Sequence, residues 1–404
     1  MLPQEFISVA SSAVGNAHAG LTGSSSLRPF GGIMNNIFFG DYHQFPPVRH
    51  ENTALYKRTV PNAYAASGRG IMEQFTTVVL LTEQKRVPAN STWAQILSRA
   101  RFGACNEEDI RFMKGLVLTN PSCVIPDFRE PGWSSAVLVT SRNAVRIQWN
   151  AEAIRKWCAT HQKPLFRIPC CDEIGRDKRS PTRSERRAIA MCREEQTGHL
   201  PSVLEIAEGM PVLVTFRHKK EASLSKGASA TVKEIILDDD DAAEDQTRGL
   251  VNLSRLPKAI VLKLDHPPSG MVEGFARGEI PILPSTHRFQ IHPNADKSKR
   301  TTVTRHQYGL VPAFSFTDYK SQGQTIDHVI VDIGKPGTGG ISQFNAYVAI
   351  SRGRGPEKFR FLRDFDSKLF TSGIDEDLAE EDRRLEGLNR VTKARYEKVI
   401  VLHK

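Results

Sequence analysis

From residue 75 onward the apolar positions fall into two recurring patterns. Short apolar runs bounded by Gly, Pro or polar clusters predict buried strands, and stretches with an apolar residue every third or fourth position predict helices. The strands fall at 76–81, 136–140, 211–215, 310–316, 328–333 and 359–362. Helices fall at 93–100 and 107–116, from Arg142 toward Cys158, after Lys320, and up to Arg352. Such alternation predicts an α/β fold with one parallel sheet covered by helices. Ahead of it lie a helix at 4–13, a loop rich in Gly and Ser, and a buried strand at 36–39 that stops at Gly40 and Pro46-Pro47. The alternation is interrupted by β-rich runs at 231–237 and 259–264, separated by the acidic loop 238–245 and followed by prolines and glycines to about residue 300. This predicts a small inserted β-barrel. From Ile374 the chain becomes a charged helix with Leu378, Leu385 and Leu388 on a weak stripe, and no internal repeat occurs.

Charge adds a partner class. A formal net charge of +10 over 404 residues favours a polyanion, nucleic acid first, because each neutralised phosphate releases condensed counterions. Charge alone does not decide the matter. The run 175–195 is dense in Arg, Lys and Glu with Pro181 near its centre, and reads as an exposed insertion, either a solvated loop or a contact to phosphates. The six cysteines form no Cys-x-x-Cys pair and meet no His at zinc-finger spacing, which speaks against a structural metal and for reduced thiols. No apolar run is long enough to span a bilayer, and the first 27 residues carry Glu5 but no Lys or Arg, unlike a signal or transit peptide. An intracellular location is expected.

Four blocks carry chemistry. Gly40-Asp41-Tyr42-His43-Gln44-Phe45-Pro46-Pro47-Val48 follows a strand end, where open α/β sheets bind ligands. Gln44 can hydrogen-bond a terminal phosphate or an attacking water there, whereas an ordinary turn would only use Asp41 to cap backbone groups. Leu81-Thr82-Glu83-Gln84-Lys85-Arg86 again presents a long cation at a strand end, and Arg suits phosphate because its planar fork donates bidentately and keeps its charge. The third block, Phe314-Ser315-Phe316-Thr317-Asp318-Tyr319-Lys320-Ser321-Gln322-Gly323-Gln324-Thr325, runs from an apolar strand into a polar loop and a helix. Thr317, Lys320 and Ser321 supply donors and Gly323 permits close backbone approach, which suits phosphate oxygens. In Tyr347-Val348-Ala349-Ile350-Ser351-Arg352 an apolar helix face ends in Ser-Arg, so Arg352 can either stabilise charge on a transferred phosphoryl group or interact with the helix C-terminus. Gly334-Lys335-Pro336-Gly337-Thr338-Gly339-Gly340 looks like a phosphate loop but lacks the terminal Gly-Lys-Ser/Thr, and Pro336 removes an amide, so it reads as a flexible connection. No Gly-x-x-x-x-Gly-Lys-Ser/Thr occurs in the chain.

These four blocks, in this order, resemble the PIF-type (petite-integration-frequency) DNA helicases, RecD-related members of helicase superfamily 1. The likeness extends to Gly209-Met210-Pro211-Val212, similar to the segment before that family's SH3-like barrel, and to Ala136-Val137-Leu138-Val139-Thr140-Ser141-Arg142-Asn143. The resemblance implies a remnant of a first RecA-like domain (1–74), a second RecA-like domain (75–226 and 301–372), an inserted SH3-like β-barrel (227–300) and a charged helical tail (373–404). It implies nucleotide contacts from Asp41, Gln44, Arg86, Gly323, Gln324 and Arg352, with Gln44, Arg86 and Arg352 acting on the γ-phosphate. Thr317, Tyr319, Lys320 and Gln322 would lie near the DNA path, Tyr319 standing where the family often has His. ATP and Mg²⁺ are the implied cofactors of the complete protein, single-stranded or forked DNA the implied partner, with no membrane and a monomer favoured.

In that family an Asp-Glu pair lies a few residues before a Met like Met1, and the phosphate-binding loop lies further upstream. The resemblance therefore implies an N-terminally shortened helicase lacking the Walker A and Walker B motifs, inactive alone and binding no cofactor competently. In complete form it would unwind DNA 5′ to 3′ in repair and recombination, in the nucleus or mitochondrion of a eukaryote. The alternative is a non-catalytic nucleic-acid-binding remnant of a decayed helicase or mobile element. A basic structural protein is a third reading, against which the order of the blocks argues.

Overall fold

A computed structural model describes residues 3–23, 26–47, 51–215, 227–238, 249–266, 272–293, 300–335 and 340–402. The chain divides into two compact units, Met1–Ser141 with Thr317–Lys404, and Arg142–Phe316.

The first unit opens with α1 (Gln4–Thr22) and α2 (Ala63–Glu73), which pack together closely. A Cβ on Gly68 would lie 1.8 Å from the Gln4 carbonyl oxygen, so glycine sets how near the helices come. Helix α1 outlasts the expected 4–13 because its second half is rich in Ala and Gly, which carry little periodic signal; Gly23 ends it at φ 68°. Ser91 caps α3 (Thr92–Arg101), and Asn106 and Asp109 form a capping box on α4 (Glu107–Lys114). Strand β1 (Val137–Thr140) follows.

The second unit begins with α5 (Asn143–His161), β2 (Leu165–Pro169), β3 (Cys171–Ile174) and α6 (Arg183–Ala190). It continues through β4 (Val203–Ile206), β5 (Pro211–Val214), β6 (Ser229–Ile236), β7 (Leu250–Asn252) and β8 (Ala259–Leu264). Its last strands are β9 (Glu279–Ile282), β10 (Ser285–Ile291), β11 (Thr301–Gln307) and β12 (Leu310–Pro312). The division between units falls inside β13 (Ser315–Thr317). Back in the first unit come α7 (Asp318–Ser321), β14 (Val329–Asp332), α8 (Gln343–Ile350), β15 (Phe359–Phe361), α9 (Lys368–Thr371) and α10 (Glu376–Leu402).

The expected α/β class is present. Strands β1, β14 and β15 pair in parallel, Val137 with Val329 and Val329 with Phe359; their apolar residues other than the half-buried Val137 are buried, and Trp93 of α3 packs on Phe359. Two expected strands are not strands. Residues 36–39 are extended but join no ladder among the described residues, and Ile37 and Phe39 are 75% and 89% exposed rather than buried. Phe38, 42% exposed, meets Phe75 edge-on. Residues 76–81 are also extended without a ladder, because side chains of α10 take their amides: Val78 donates to Thr392 Oγ1 at 3.0 Å and Leu80 to Asn389 Oδ1 at 3.1 Å. The expected charged tail is thus helical and engaged, with Leu378 buried against Ala54 and Tyr56.

In the second unit pairing crosses the expected limits of the insert at 227 and 300. Strands β6, β8 and β9 lie in an antiparallel sheet of order β12-β5-β6-β8-β9, completed by the apolar flanking strands 211–214 and 310–312. Strand β10 instead pairs with β11, which pairs with β3. The exposed insertion expected at 175–195 contains α6, seated by Ile189 on Ile174, Phe289, Ile291 and Val303. Most of the acidic loop at 238–245 and residues 336–339 of the glycine segment lie outside the described residues.

Candidate functional site

The chemistry-bearing blocks of the first unit converge. Asp41 sits in the loop after Gly40, where its carboxylate accepts from Arg101 (2.7 and 2.9 Å), the His43 amide (3.0 Å) and Gln44 Nε2 (3.1 Å). Burial pushes the Asp41 carboxyl up, but the Arg101 hydrogen bond and charge, helped by His43 and Gln44, outweigh it and hold the group below the usual range. Gln44 is held from the other side too, its Oε1 accepting from Gln322 Nε2 at 2.7 Å. Phe45 stacks on Tyr319, rings 4.1 Å apart and 19° from parallel. His43 is buried, with Nδ1 at 2.9 Å from the Arg101 carbonyl and Nε2 at 2.8 Å from Asp382.

Two arginines form a second cluster close enough for the Asp41 charge to act on Arg352. Arg86 Nε donates to Thr325 Oγ1 (3.1 Å) and Nη1 to the Ser351 carbonyl (2.6 Å). Arg352 follows α8 and is 3% exposed; it donates to the carbonyls of Val348 (2.8 Å), Gln324 (3.3 Å) and Ser321 (3.4 Å) and to Ser351 Oγ (2.7 Å). Among the described residues neither arginine has a carboxylate within ion-pair distance. Burial, reinforced by the Arg86 charge, pushes Arg352 down to about 10. A buried cation held only by neutral oxygens, three carbonyls and one hydroxyl, is costly unless an anion meets it. The arrangement can therefore receive an oxyanion, with Gln44 as a neutral donor beside it.

No family model matches the chain. In sequence it is 23% identical over 342 residues to the ATP-dependent DNA helicase PIF7 of Trypanosoma brucei brucei, covering 80% of this chain and 32% of that protein. The chain thus spans about a third of that relative's length. Its fold matches the crystal structure of Pif1 helicase from Candida albicans with a TM-score of 0.60 at 18% identity, over 96% of this chain and 74% of the other. Pif1 helicase from Bacteroides in complex with ADP-AlF3 and ssDNA matches with a TM-score of 0.56 at 16% identity, over 96% and 73%. The chain has the fold of the Pif1 helicases.

Set out along this Pif1-like chain, the residues singled out from sequence occupy three places. Asp41 and Gln44 belong to one of the two clusters just described, and Arg86, Arg352 and, through its carbonyl, Gln324 to the other. Gly323 lies at its edge with φ 81°, a left-handed conformation that favours glycine, and with open space where a Cβ would stand. Tyr319 and Lys320 lie in the single turn of α7 and Thr317 caps it: Thr317 Oγ1 accepts from the Lys320 amide at 3.4 Å, and Tyr319 is 51% exposed. Gln322, expected near DNA, is bonded to Gln44 and so joins both groups. Arg101, His43 and Asp382 were not legible as site residues. Arg101 is merely the last residue of α3, and nothing in its spacing announces a partner 60 positions earlier.

Proposed function

We propose that this chain carries the γ-phosphate-sensing and DNA-tracking part of an ATP-dependent DNA helicase that moves 5′ to 3′. The observation that carries the reading is Arg352, buried beside Arg86 with no carboxylate partner among the described residues, while Gln44 is doubly held by Asp41 and by Gln322, the residue that follows Ser321. Nucleotide would bring the phosphoryl group to be transferred and its Mg²⁺. The chain's own contribution is preorganised charge: Arg352 and Arg86 meet negative charge where water is excluded, and Gln44 orients a terminal oxygen or an attacking water. Asp41 keeps Gln44 and Arg101 in place. Thr317, Tyr319, Lys320 and Gln322 face single-stranded or forked DNA, and the Gln322–Gln44 hydrogen bond ties that loop to the sensor.

The test joins this chain behind the phosphate-binding half of a Pif1 helicase and measures DNA-stimulated ATP turnover. Arg86→Ala and Arg352→Ala should each lower it by about 10³-fold with DNA affinity nearly unchanged. Near-normal turnover in either variant would remove that arginine from the site.

A further inference from the structure

We infer that the outward face of α6 is a second nucleic-acid contact, a sequence-independent seat for the phosphodiester backbone. It goes beyond the nucleotide-site reading and does not need it, since α6 lies in the other compact unit.

The helix is split cleanly by position. Glu185, Ala188, Ile189 and Cys192 face inward, Ile189 onto Phe289 and Val303, while Arg183, Arg186 and Arg187 are exposed at spacings of three and four, which puts all three on one face. Like charges at these spacings oppose the helix rather than support it. The surrounding carboxylates do not relieve them. Asp172 is spent on Arg305 (2.8 Å to each oxygen), Glu185 on Arg179 (2.7 and 2.8 Å), Glu194 on Arg146 (2.8 and 2.9 Å) and Glu173 on His306 (3.3 Å). Asp177 and Glu195 are exposed, against exposed Arg176, Lys178 and Arg193 in addition to the three helix arginines. Arg186 donates one N–H to the Pro181 carbonyl, and Arg183 and Arg187 have no partner among the described residues.

Rigidity adds to charge. The Thr182–Glu185 capping box and the Arg179 fork on Glu185 fix the start of the helix, so the arginines are presented by an ordered surface. Three planar, permanently charged forks suit phosphate oxygens. A membrane surface fits less well, because the apolar side of the helix is already buried.

The experiment is a salt titration of binding to labelled single-stranded DNA, duplex DNA and RNA of equal length. For single strands the parent's log–log slope should flatten by about two in the triple variant Arg183→Gln, Arg186→Gln, Arg187→Gln, at about 0.7 per contact, with comparable loss on duplex and no dependence on base sequence. A control triple of equal charge, Arg383→Gln, Lys393→Gln, Arg395→Gln on exposed positions of α10, should change it by much less. Should the α6 triple melt early, Arg183→Gln and Arg187→Gln are read singly, each expected to flatten the slope by about 0.7. An unchanged slope, an equal effect of the control triple, no binding at low salt, or binding to phosphatidylserine vesicles in place of oligonucleotides would each overturn the proposal. Lys320→Ala, read in parallel, reports on the α7 loop alone, so the two readings fail separately.

Discussion

Tyr319 and Lys320 are neighbours on one turn but are expected to contribute by different physics. One face of the Tyr319 ring is taken by Phe45, and half of the residue remains exposed, leaving a platform on which a base can stack. Tyr319→Ala should cost about 1–3 kcal/mol of single-strand affinity while leaving the salt slope as it was. Lys320→Ala should instead flatten that slope by about 0.7, one phosphate contact. Titrations of parent and both variants on one oligonucleotide separate stacking from charge, and an unchanged slope for Lys320→Ala takes the loop off the DNA path.

Among the elements, α6 relies on a single buried carboxylate. The Arg179 hydrogen bond pulls Glu185 down to about 2, against the opposing effect of burial, with the Thr182 amide and hydroxyl assisting. A carboxyl whose folded value is depressed stabilises the fold fully above its ordinary 4.5, and that contribution drains away as pH falls through 2. Thermal melts at pH 7 and pH 3 should therefore show the parent losing stability with acid, and Glu185→Gln, less stable at pH 7, should show a smaller acid loss. Equal acid losses in the two proteins would mean that the Glu185–Arg179 pair does not hold α6.

At the scale of the whole molecule, the sensing residues proposed above would not by themselves make a motor. Phosphoryl transfer depends on positioning and on Mg²⁺, and the sequence contains no Gly-x-x-x-x-Gly-Lys-Ser/Thr to hold the phosphates. The purified chain should hydrolyse ATP at background rate with or without single-stranded DNA. Stimulated turnover abolished by Arg352→Ala would refute this. DNA binding should persist without nucleotide, since the net charge of +10 does not depend on it.

Local pattern determined much of this protein. The apolar blocks of β1, β14 and β15, helix α3 and the order of the Gln44, Arg86, Lys320 and Arg352 blocks were legible because periodicity and side-chain chemistry act over a few residues. Tertiary structure decided the rest. Residues 36–39 and 76–81 have strand-like composition, but a strand exists only where a ladder partner stands beside it, and for 78 and 80 that place is taken by α10. Arg101 became the counterion of Asp41, and Arg352 a buried charge, through contacts between positions far apart in sequence. Residues 183–190 of the run at 175–195 became the helix α6, seated where Ile189 meets the sheet of β3, β10 and β11. Burial and ion pairing are properties of neighbours in space, and no spacing along the chain encodes them.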